Sequence, residues 1–531
     1  MDRPEPPAGR KDLRKLLKAF NLRRLTQLSI FLLFVFLLLR TEYRGYPEIR
    51  YPVNVFFQLD PYLAMASMTA ARKLVSNFWP VLIVLGLTLV LGRVFCGWFC
   101  PMGALLDFLG RLRRRKTFYS LSTPLGRGRH LKYYFLAGTL AASLFSLQAA
   151  WFFDPLSLLS RSLSVSVIPA ANLAVSTFFD YIFINFRPVS VLTEPIYTVL
   201  RKYFLTFDQQ YFRWGLASLL MLTLILAAEL WRPRTWCRYL CPLGATVSLV
   251  SRFSLMGRRV GDRCVDCGSC YQTCPMGLID EDNHRLSSRE CTVCLTCREI
   301  CPHGAIDYPF LPEVSDGATP DLSRRRLLGG AAAGILAVPF FNITPWRPVL
   351  PPYLLRPPGA VPEEEFLDLC IRCGSCMKVC MRNAIHPAML EGGPEAVMTP
   401  VMFFRLGYCE LNCTLCGQVC PTGAIKELSI EEKHNYKIGE AFIDQDRCIP
   451  FISANNCIVC EEQCPVAEKA IILEDVEVSE PGVGQVTVKR PKVLEKLCIG
   501  CGICETRCPV EGRSAIIVVN NGETRRTGEW A

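Results

Sequence analysis

The sequence predicts a mixed fold, an α-helical transmembrane bundle joined to small, cysteine-rich α+β domains. Three observations lead there. Half of the 531 residues are hydrophobic, and four apolar runs approach the ~20 residues with which a helix crosses ~30 Å of hydrocarbon. The 28 cysteines fall in tight groups. The Lys and Arg residues that flank the apolar runs are unevenly shared among the loops, eight of them in 111–132 alone. At ~150 residues per domain the length implies several domains. A cysteine-rich secreted scaffold would be short and disulfide-stapled, whereas a long chain with C-x-x-C spacings points to metal ligation. The net charge of +11 follows the pattern of a membrane topology, and no nucleic-acid partner is expected.

The apolar runs lie at 25–40, 78–95, 131–153 and 213–231, and the charge between them alternates. Residues 1–24 carry eight Lys/Arg against three acids, the loop 111–132 eight against none, and 232–262 six against one. The loops 41–78 and 151–212 are nearly balanced, at four against three and four against four. By the positive-inside rule the N-terminus, 111–132 and the segment after 231 are cytoplasmic. A crossing at 158–184 would break this parity, and Arg161 and Asp180 bracket it, so that segment reads as re-entrant or interfacial on the outer side.

An internal repeat sits in this half. GRVFCGWFCPMGALLDFLGR (92–111) resembles RTWCRYLCPLGATVSLVSR (234–252). Cys96 and Cys100, like Cys237 and Cys241, would share a helix face, and the proline after each second cysteine suits a first turn or a kink. These four are the candidate catalytic thiols. Holding a metal cluster, cycling as thiols and simply packing at a helix contact all remain open for them.

Every other cysteine belongs to a set of four. Cys264, Cys267, Cys270 and Cys274, and then Cys291, Cys294, Cys297 and Cys301, follow the C-x2-C-x2-C-x3-C-P spacing of bacterial-type [4Fe–4S] ferredoxin domains. In two-cluster folds the fourth cysteine of each motif serves the neighbouring cluster, so Cys301 is expected with the first triplet and Cys274 with the second. Four further sets follow: Cys370, Cys373, Cys376, Cys380; Cys409, Cys413, Cys416, Cys420; Cys448, Cys457, Cys460, Cys464; and Cys498, Cys501, Cys504, Cys508. Their pairing is open. About six [4Fe–4S] clusters are expected on these 24 metal-ligating cysteines; zinc, which four cysteines also bind, is the alternative.

Between the two cysteine-rich regions lies DLSRRRLLGGAAAGILAV (321–338), a serine, consecutive arginines and a mild apolar stretch. It reads as a twin-arginine signal that stays as a fifth, anchoring span, the alternative being a plain cytoplasmic anchor. The Pro-rich stretch after it reads as a semi-rigid tether. The expected domains are therefore a membrane bundle (1–255), a cytoplasmic two-cluster domain (256–312), a signal-anchor (313–345), a linker (346–366) and a periplasmic four-cluster domain (367–531).

Five histidines, with only His130 near the bilayer, exclude a bis-histidine haem, and no C-x-x-C-H site exists. His303 and His386 lie beside cluster loops and are not expected as ligands. SDGAT (315–319) lacks the pattern of a flavin-attachment site, and no G-x-G-x-x-G opens a helix after a strand. Arg93, Asp107 and Glu229 lie near span ends; they raise a quinone site, with snorkelling as the competing explanation.

With these residues in view, 1–312 resembles the NapH-type membrane quinol dehydrogenase component of periplasmic nitrate reductase systems, through its four spans, two C-x-x-x-C-P motifs and two-cluster tail. Residues 320–531 resemble the NapG-type ferredoxin, through the twin-arginine stretch, LRPPGAVPEEEFLDLCIRCGSC and four cluster motifs. The chain thus looks like a fusion within the wider NosR-like polyferredoxin family. The resemblance implies a multi-pass protein of the bacterial inner membrane, with the N-terminus and 256–325 cytoplasmic and 346–531 periplasmic. It implies oxidation of the membrane quinol pool and relay to a periplasmic reductase or cytochrome c, with membrane lipid around the bundle. Because the halves are one polypeptide and 151–212 is long for the family, the terminal acceptor is not carried over. An electron donor for maturation of a metalloenzyme, a NosR/CcoG-like role, is the alternative; a redox sensor would need fewer clusters.

Overall fold

The computed structural model describes residues 10–112, 127–206, 208–279, 290–310, 324–341, 351–453, 455–480 and 484–527. The basic loop from 113 to 126, SDGAT and the start of the Pro-rich stretch lie outside them. The chain forms two compact units. One comprises Met1–Leu37, Val55–Leu159 and Leu219–Val338; the other comprises Leu38–Asn54, Ser160–Ser218 and Pro339–Ala531.

The first unit is built around helix Pro242–Val250, whose first seven residues are all buried, as expected of a helix apolar on every face. Helices Pro61–Ala71, Val81–Leu91 and Leu131–Ser143 pack against it. Asp60 starts the first of these by accepting the N–H groups of Tyr62 (2.8 Å) and Leu63 (3.0 Å), and Pro61 fills the first turn, where no N–H is needed. The Tyr62 hydroxyl then donates to Thr139 Oγ1 at 2.9 Å, tying two helices together. The last carbonyls of Val81–Leu91 would be orphaned; Leu89 and Val90 instead accept the N–H groups of Leu255 (2.8 Å) and Met256 (3.1 Å). This places the start of a small domain closed by strands Arg259–Val260 and Ile306–Asp307, paired antiparallel.

The expected spans are helical but differ in length. Among the described residues, two helices are long and apolar enough to cross a membrane, Leu22–Arg40 and Pro155–Asn185. The runs at 78–95 and 213–231 give the shorter helices Val81–Leu91 and Gly215–Trp231. The run 131–153 breaks: Ser146 turns left-handed at φ 58°, and the N–H groups of Ser146 and Leu147 close on the carbonyls of Ser143 and Ala142 before a short helix resumes at Ala150–Phe153. Uniform hydropathy conceals such a turn. The segment 158–184, expected as re-entrant or interfacial, lies within one helical run from Pro155 to Asn185, with a π-turn at Leu163–Val167. Arg161, read as a charge bracketing it, is buried and donates to the Arg372 carbonyl at 3.1 Å.

In the second unit, strands Ile385–Pro387 and Pro400–Met402 pair, as do Glu440–Ile443 with Ile516–Val519 and the long hairpin strands Ile471–Glu480 with Gly484–Val493, all antiparallel. The expected linker 346–366 is no tether from residue 351 onward. Leu354 packs with Ala388 and Val401, Leu355 with Phe404 and Val518, and the Val361 N–H donates to the Ala424 carbonyl. Arg356, buried, forks onto Glu363 (2.6 and 3.1 Å) and also holds Thr399 and Pro400. Burial alone would raise the Glu363 carboxyl; Arg356 and Arg525 outweigh it and hold the group at about 2. Proline content suggested a spacer, but the two leucines and the ion pair dock it.

Helix Arg324–Phe341 lies against Leu131–Ser143 in the first unit through glycines. A Cβ at Gly334 would sit 2.0 Å from the Gly138 carbonyl oxygen, and one at Gly330 2.9 Å from that of Tyr134. The four-residue spacing of Gly330 and Gly334 is the small-residue pattern that lets two helix backbones touch. Gly334→Leu should therefore lower the thermal stability of the detergent-solubilised protein, whereas Gly329→Leu, with open space around it, should not; equal melting curves would refute the contact.

Candidate iron–sulfur centres

Five small cavities are lined by four cysteines apiece. Cys264, Cys267 and Cys270 meet Cys301; Cys291, Cys294 and Cys297 meet Cys274. This is the exchange expected from the spacing. The same exchange resolves the pairing left open further on. Cys370, Cys373 and Cys376 meet Cys420, while Cys409, Cys413 and Cys416 meet Cys380. Cys448, Cys457 and Cys460 meet Cys508. Of the remaining four, Cys464, Cys498 and Cys504 are gathered in and around one hydrophobic cluster, and the Cys501 thiol interacts electrostatically with Cys498, Cys464 and Cys409.

The backbone around these cavities suits an anionic cluster. In the four motifs with even spacing, the residues on both sides of the second cysteine are left-handed: Asp266 and Gly268, Val293 and Leu295, Arg372 and Gly374, Gly500 and Gly502. Such alternation turns successive N–H groups inward into a concavity that binds anions, iron–sulfur clusters among them. A β-branched residue at φ 50°, as at Val293, costs about 1–3 kcal/mol and persists only where the surroundings impose it. The fourth cysteines receive further donors: Leu278, Ala305, Ala384, Ile425 and Ala515 each point a backbone N–H at the sulfur of Cys274, Cys301, Cys380, Cys420 and Cys508, at 3.3–3.5 Å. Zinc would draw four sulfurs to ~2.3 Å of one ion. Among the described residues no three His, Cys, Asp or Glu side chains are placed to hold a single ion. The residues present therefore fit [4Fe–4S] clusters.

Sequence reasoning missed two cations. Arg258 lines both cavities of the first pair and interacts with Cys270 and Cys297. Lys433, fully buried, lies among Cys409 and Cys416 of one cavity and Cys501 of the remaining four-cysteine group. The Cys409 N–H also donates to the Cys501 carbonyl at 2.9 Å, so the two pairs of the second unit abut. Neither cation sits in a motif, and no spacing signals them. Of the histidines, His303 lines the first cavity. His386 stands edge-on between Phe212 and Phe403, and burial pushes its imidazole down to about 4.

The four remaining cysteines come together within the first unit. Each pair straddles a π-turn, Phe95–Phe99 and Trp236–Leu240, and each second cysteine precedes a proline-led helix. Arg93, Asp107 and Glu229 do not snorkel. Arg93 is wholly buried and Glu229 1% exposed, and Asp107 is held by Arg23 (2.5 Å), Gln27 (2.7 Å) and Arg234 (2.7 Å).

The exchange makes a sharp prediction for iron content. If Cys380 serves the site of Cys409, Cys380→Ser with Cys409→Ser removes one cluster, about four irons, whereas Cys380→Ser with Cys370→Ser removes two, about eight. Iron assay of the purified variants checks this, and the opposite order would refute the pairing.

Comparison with known proteins agrees with this geometry. Models of a 4Fe-4S dicluster domain match residues 256–302 and 369–424, the two best-defined pairs. Models of a 4Fe-4S binding domain match 491–513 and, in three segments, 76–118, 214–261 and 416–434. The ferredoxin-type protein NapG of Escherichia coli (strain K12) is 34% identical over 207 residues, 37% of this chain and 86% of the relative. The methylamine utilization ferredoxin-type protein MauM of Methylophilus methylotrophus is 34% identical over 163 residues, 30% of this chain and 69% of the relative. MauM of Paracoccus denitrificans is 34% identical over 172 residues, 31% and 70% of the two chains. No solved structure matches. Several four-cysteine sites, dicluster domains and these relatives together establish that the chain belongs to the ferredoxin-type iron–sulfur electron-transfer proteins of the NapG and MauM family.

Proposed function

We propose that the protein is a multi-pass electron carrier of the bacterial inner membrane, which oxidises quinol and relays electrons to a periplasmic reductase or cytochrome c. Six [4Fe–4S] clusters on the 24 motif cysteines, when bound, supply one-electron transfer, while the protein sets position and potential. In this reading a NapH-like part and a NapG-like part are fused, and residues 313–345 are a retained twin-arginine anchor.

One observation carries the reading. The packing inside each unit sorts the loops as the charge pattern does. In the first unit the loop of Cys291 and Cys294 rests on the segment 93–98, at the end of the run that the charge pattern favours at the cytoplasmic face: Arg93 Nη1 donates to the Glu290 carbonyl (3.0 Å) and Trp98 Nε1 to that of Val293 (2.9 Å). In the second unit the motifs at 370–420 rest on the two charge-balanced loops. The Gln418 amide donates to the Pro47 carbonyl and accepts the Ile49 N–H, and Gln210 Nε2 donates to the carbonyls of Lys378 and Cys380. The glycine contact of helix Arg324–Phe341 supports an anchor that stays after transport. The four sites of the second unit form a continuous series, because the 370–420 pair touches the 448–508 pair at Cys409 and Cys501. Asp107 has its oxygens occupied, which leaves Glu229, with Oε2 lacking a hydrogen-bond partner, as the better candidate to receive a quinol proton.

Two experiments test this. Menaquinol added anaerobically to the purified protein should bleach the iron–sulfur absorbance; no reduction by any quinol would sink the oxidase reading. Replacing Arg324 and Arg325 by Lys should leave 360–531 inside the cell, so that protease added outside no longer cuts it. Continued cutting would remove the twin-arginine route.

A further inference from the structure

We propose that Cys96, Cys100, Cys237 and Cys241 together bind an additional iron–sulfur cluster, beside the centre of Cys274, Cys291, Cys294 and Cys297. The two motifs have the same backbone. In each, a π-turn closes with an i to i+5 bond, Cys100 N–H to Phe95 O (2.9 Å) and Cys241 N–H to Trp236 O (3.0 Å). Cys100 (φ −74°, ψ 118°) and Cys241 (φ −75°, ψ 106°) then cap the following helices. The Gly244 N–H points at Cys241 Sγ at 3.2 Å, and the Gly103 N–H does the same for Cys100. A helix N-terminus with an inward N–H stabilises an anionic sulfur rather than a neutral thiol.

The four thiols are mutual neighbours. Cys241 interacts electrostatically with Cys237, Cys96 and Cys100, and Cys100 with Cys96 and Cys237. Two buried guanidiniums cross between the motifs. Arg234 donates to the Cys96 carbonyl and forks onto Asp107 of the other helix. Arg93, 0% exposed, reaches the first turn of Pro242–Val250, where a Cβ on Gly244 would lie 3.0 Å from its Nη2. Its Nη1 is occupied by the Glu290 carbonyl, Nε and Nη2 are buried, and the attraction on its charge comes from Cys96 and then from the Glu290 carboxylate. Such a cation is costly to bury unless it faces an anion. Four thiolates around an iron–sulfur core carry net negative charge, and they supply that anion. Simple packing of neutral thiols leaves Arg93 to share the one Glu290 carboxylate with Lys132, the cysteines are unbridged by disulfides, and among the described residues none are placed to hold a single ion.

The site adjoins the neighbouring cluster loop. A Cβ on Gly97, between Cys96 and Cys100, would fall 2.2 Å from the carbonyl oxygen of Thr292, between Cys291 and Cys294. Electron exchange across this contact oxidises one cluster by one electron and reduces the other by one, with no bond or proton moved.

The test is iron and acid-labile sulfide per chain in anaerobically purified full-length protein. Cys96→Ser with Cys237→Ser should lower both by about four relative to the unchanged protein. Unchanged iron, or a loss of iron without sulfide, overturns the proposal. If the variant fails to accumulate in membranes, a cryo-electron-microscopy map of the unchanged protein decides: cluster density among the four sulfurs supports the site, and density for free thiols, a disulfide or a lone ion overturns it. Neither arm depends on quinol oxidation.

Discussion

Each paired motif contributes its fourth cysteine to its partner's cavity, and the rest of the cysteine-rich architecture follows from that exchange. Three cysteines on one loop leave a cavity open, and the closing sulfur arrives from a segment tens of residues away. Two motifs must therefore fold together or not at all. The strand pairs confirm how little else holds a module: Arg259–Val260 with Ile306–Asp307 is two residues long, and the core beside it has Ile279, Cys297 and Ile306 as its buried members. Modules this small cannot bury enough apolar surface to offset chain entropy, so ligation of the metal is folding energy. The left-handed residues flanking the second cysteines fit the same account. Their strain is tolerable only where a bound anion takes up the N–H groups they turn inward.

Buried cations are the second recurring device. Arg93, Arg161 and Arg356 are all among the fully buried side chains, and each donates to a backbone carbonyl in or next to a cluster-bearing segment: Glu290, Arg372 and Pro400. Arginine suits this because its planar fork bonds in several directions while staying charged. Near clusters such charges have a second effect. With clusters bound, Lys433 and Arg258 would stabilise the reduced, more negative form of the sites they face and so raise their reduction potentials without being ligands. Two of the cluster loops also rest beside π-turns, at Phe95–Phe99 and Leu163–Val167, where the widened helix lets the loop approach; Gly97 against Thr292 and Gly374 against the Arg161 backbone mark the contacts.

What was legible in the sequence was whatever spacing encodes. Ligand triplets and their partner cysteines are local patterns, and so is the repeat of Arg93 to Ala104 in Arg234 to Ala245. The exchange in the first pair followed from the even spacing, whereas Cys409 to Cys416 and Cys448 to Cys460 carry irregular first gaps that obscured theirs. Three-dimensional contacts were not legible. Ser146 breaks a run of uniform hydropathy, because a turn there is closed by backbone bonds rather than by a turn-forming side chain. Residues 351–366 read as a spacer because proline composition describes the free chain; Leu354, Leu355 and the Arg356–Glu363 pair act only against surfaces that composition does not reveal. Gly330 and Gly334 did carry a local signal, the small-residue spacing, which the twin arginines overshadowed.

The strap and the loops together constrain how the second unit is assembled. Residues 351–363 bond to both of its cluster pairs, Leu354 with Val401 on one and Leu355 with Val518 on the other, and Glu363 is clamped by Arg356 from the strap and Arg525 from the C-terminal end. The four-cluster body is thus one object, and it cannot be completed before Arg525 has been made. Its contacts with 41–54 and 205–218 are of another kind. They combine side-chain amides, Gln418, Gln210 and Asn383, bonded to backbone groups with the buried Lys378–Glu42 pair and the packing of Tyr43, Ile49 and Phe212, a mixed polar and apolar interface. On the proposed topology those loops reach the outer face during membrane insertion, early in synthesis. On the same proposal the body would arrive complete, with its iron and sulfide already in place, and dock. A route that carries folded domains is the one compatible with both facts, which is why an export signal would stand at residue 321 rather than at the start of the chain.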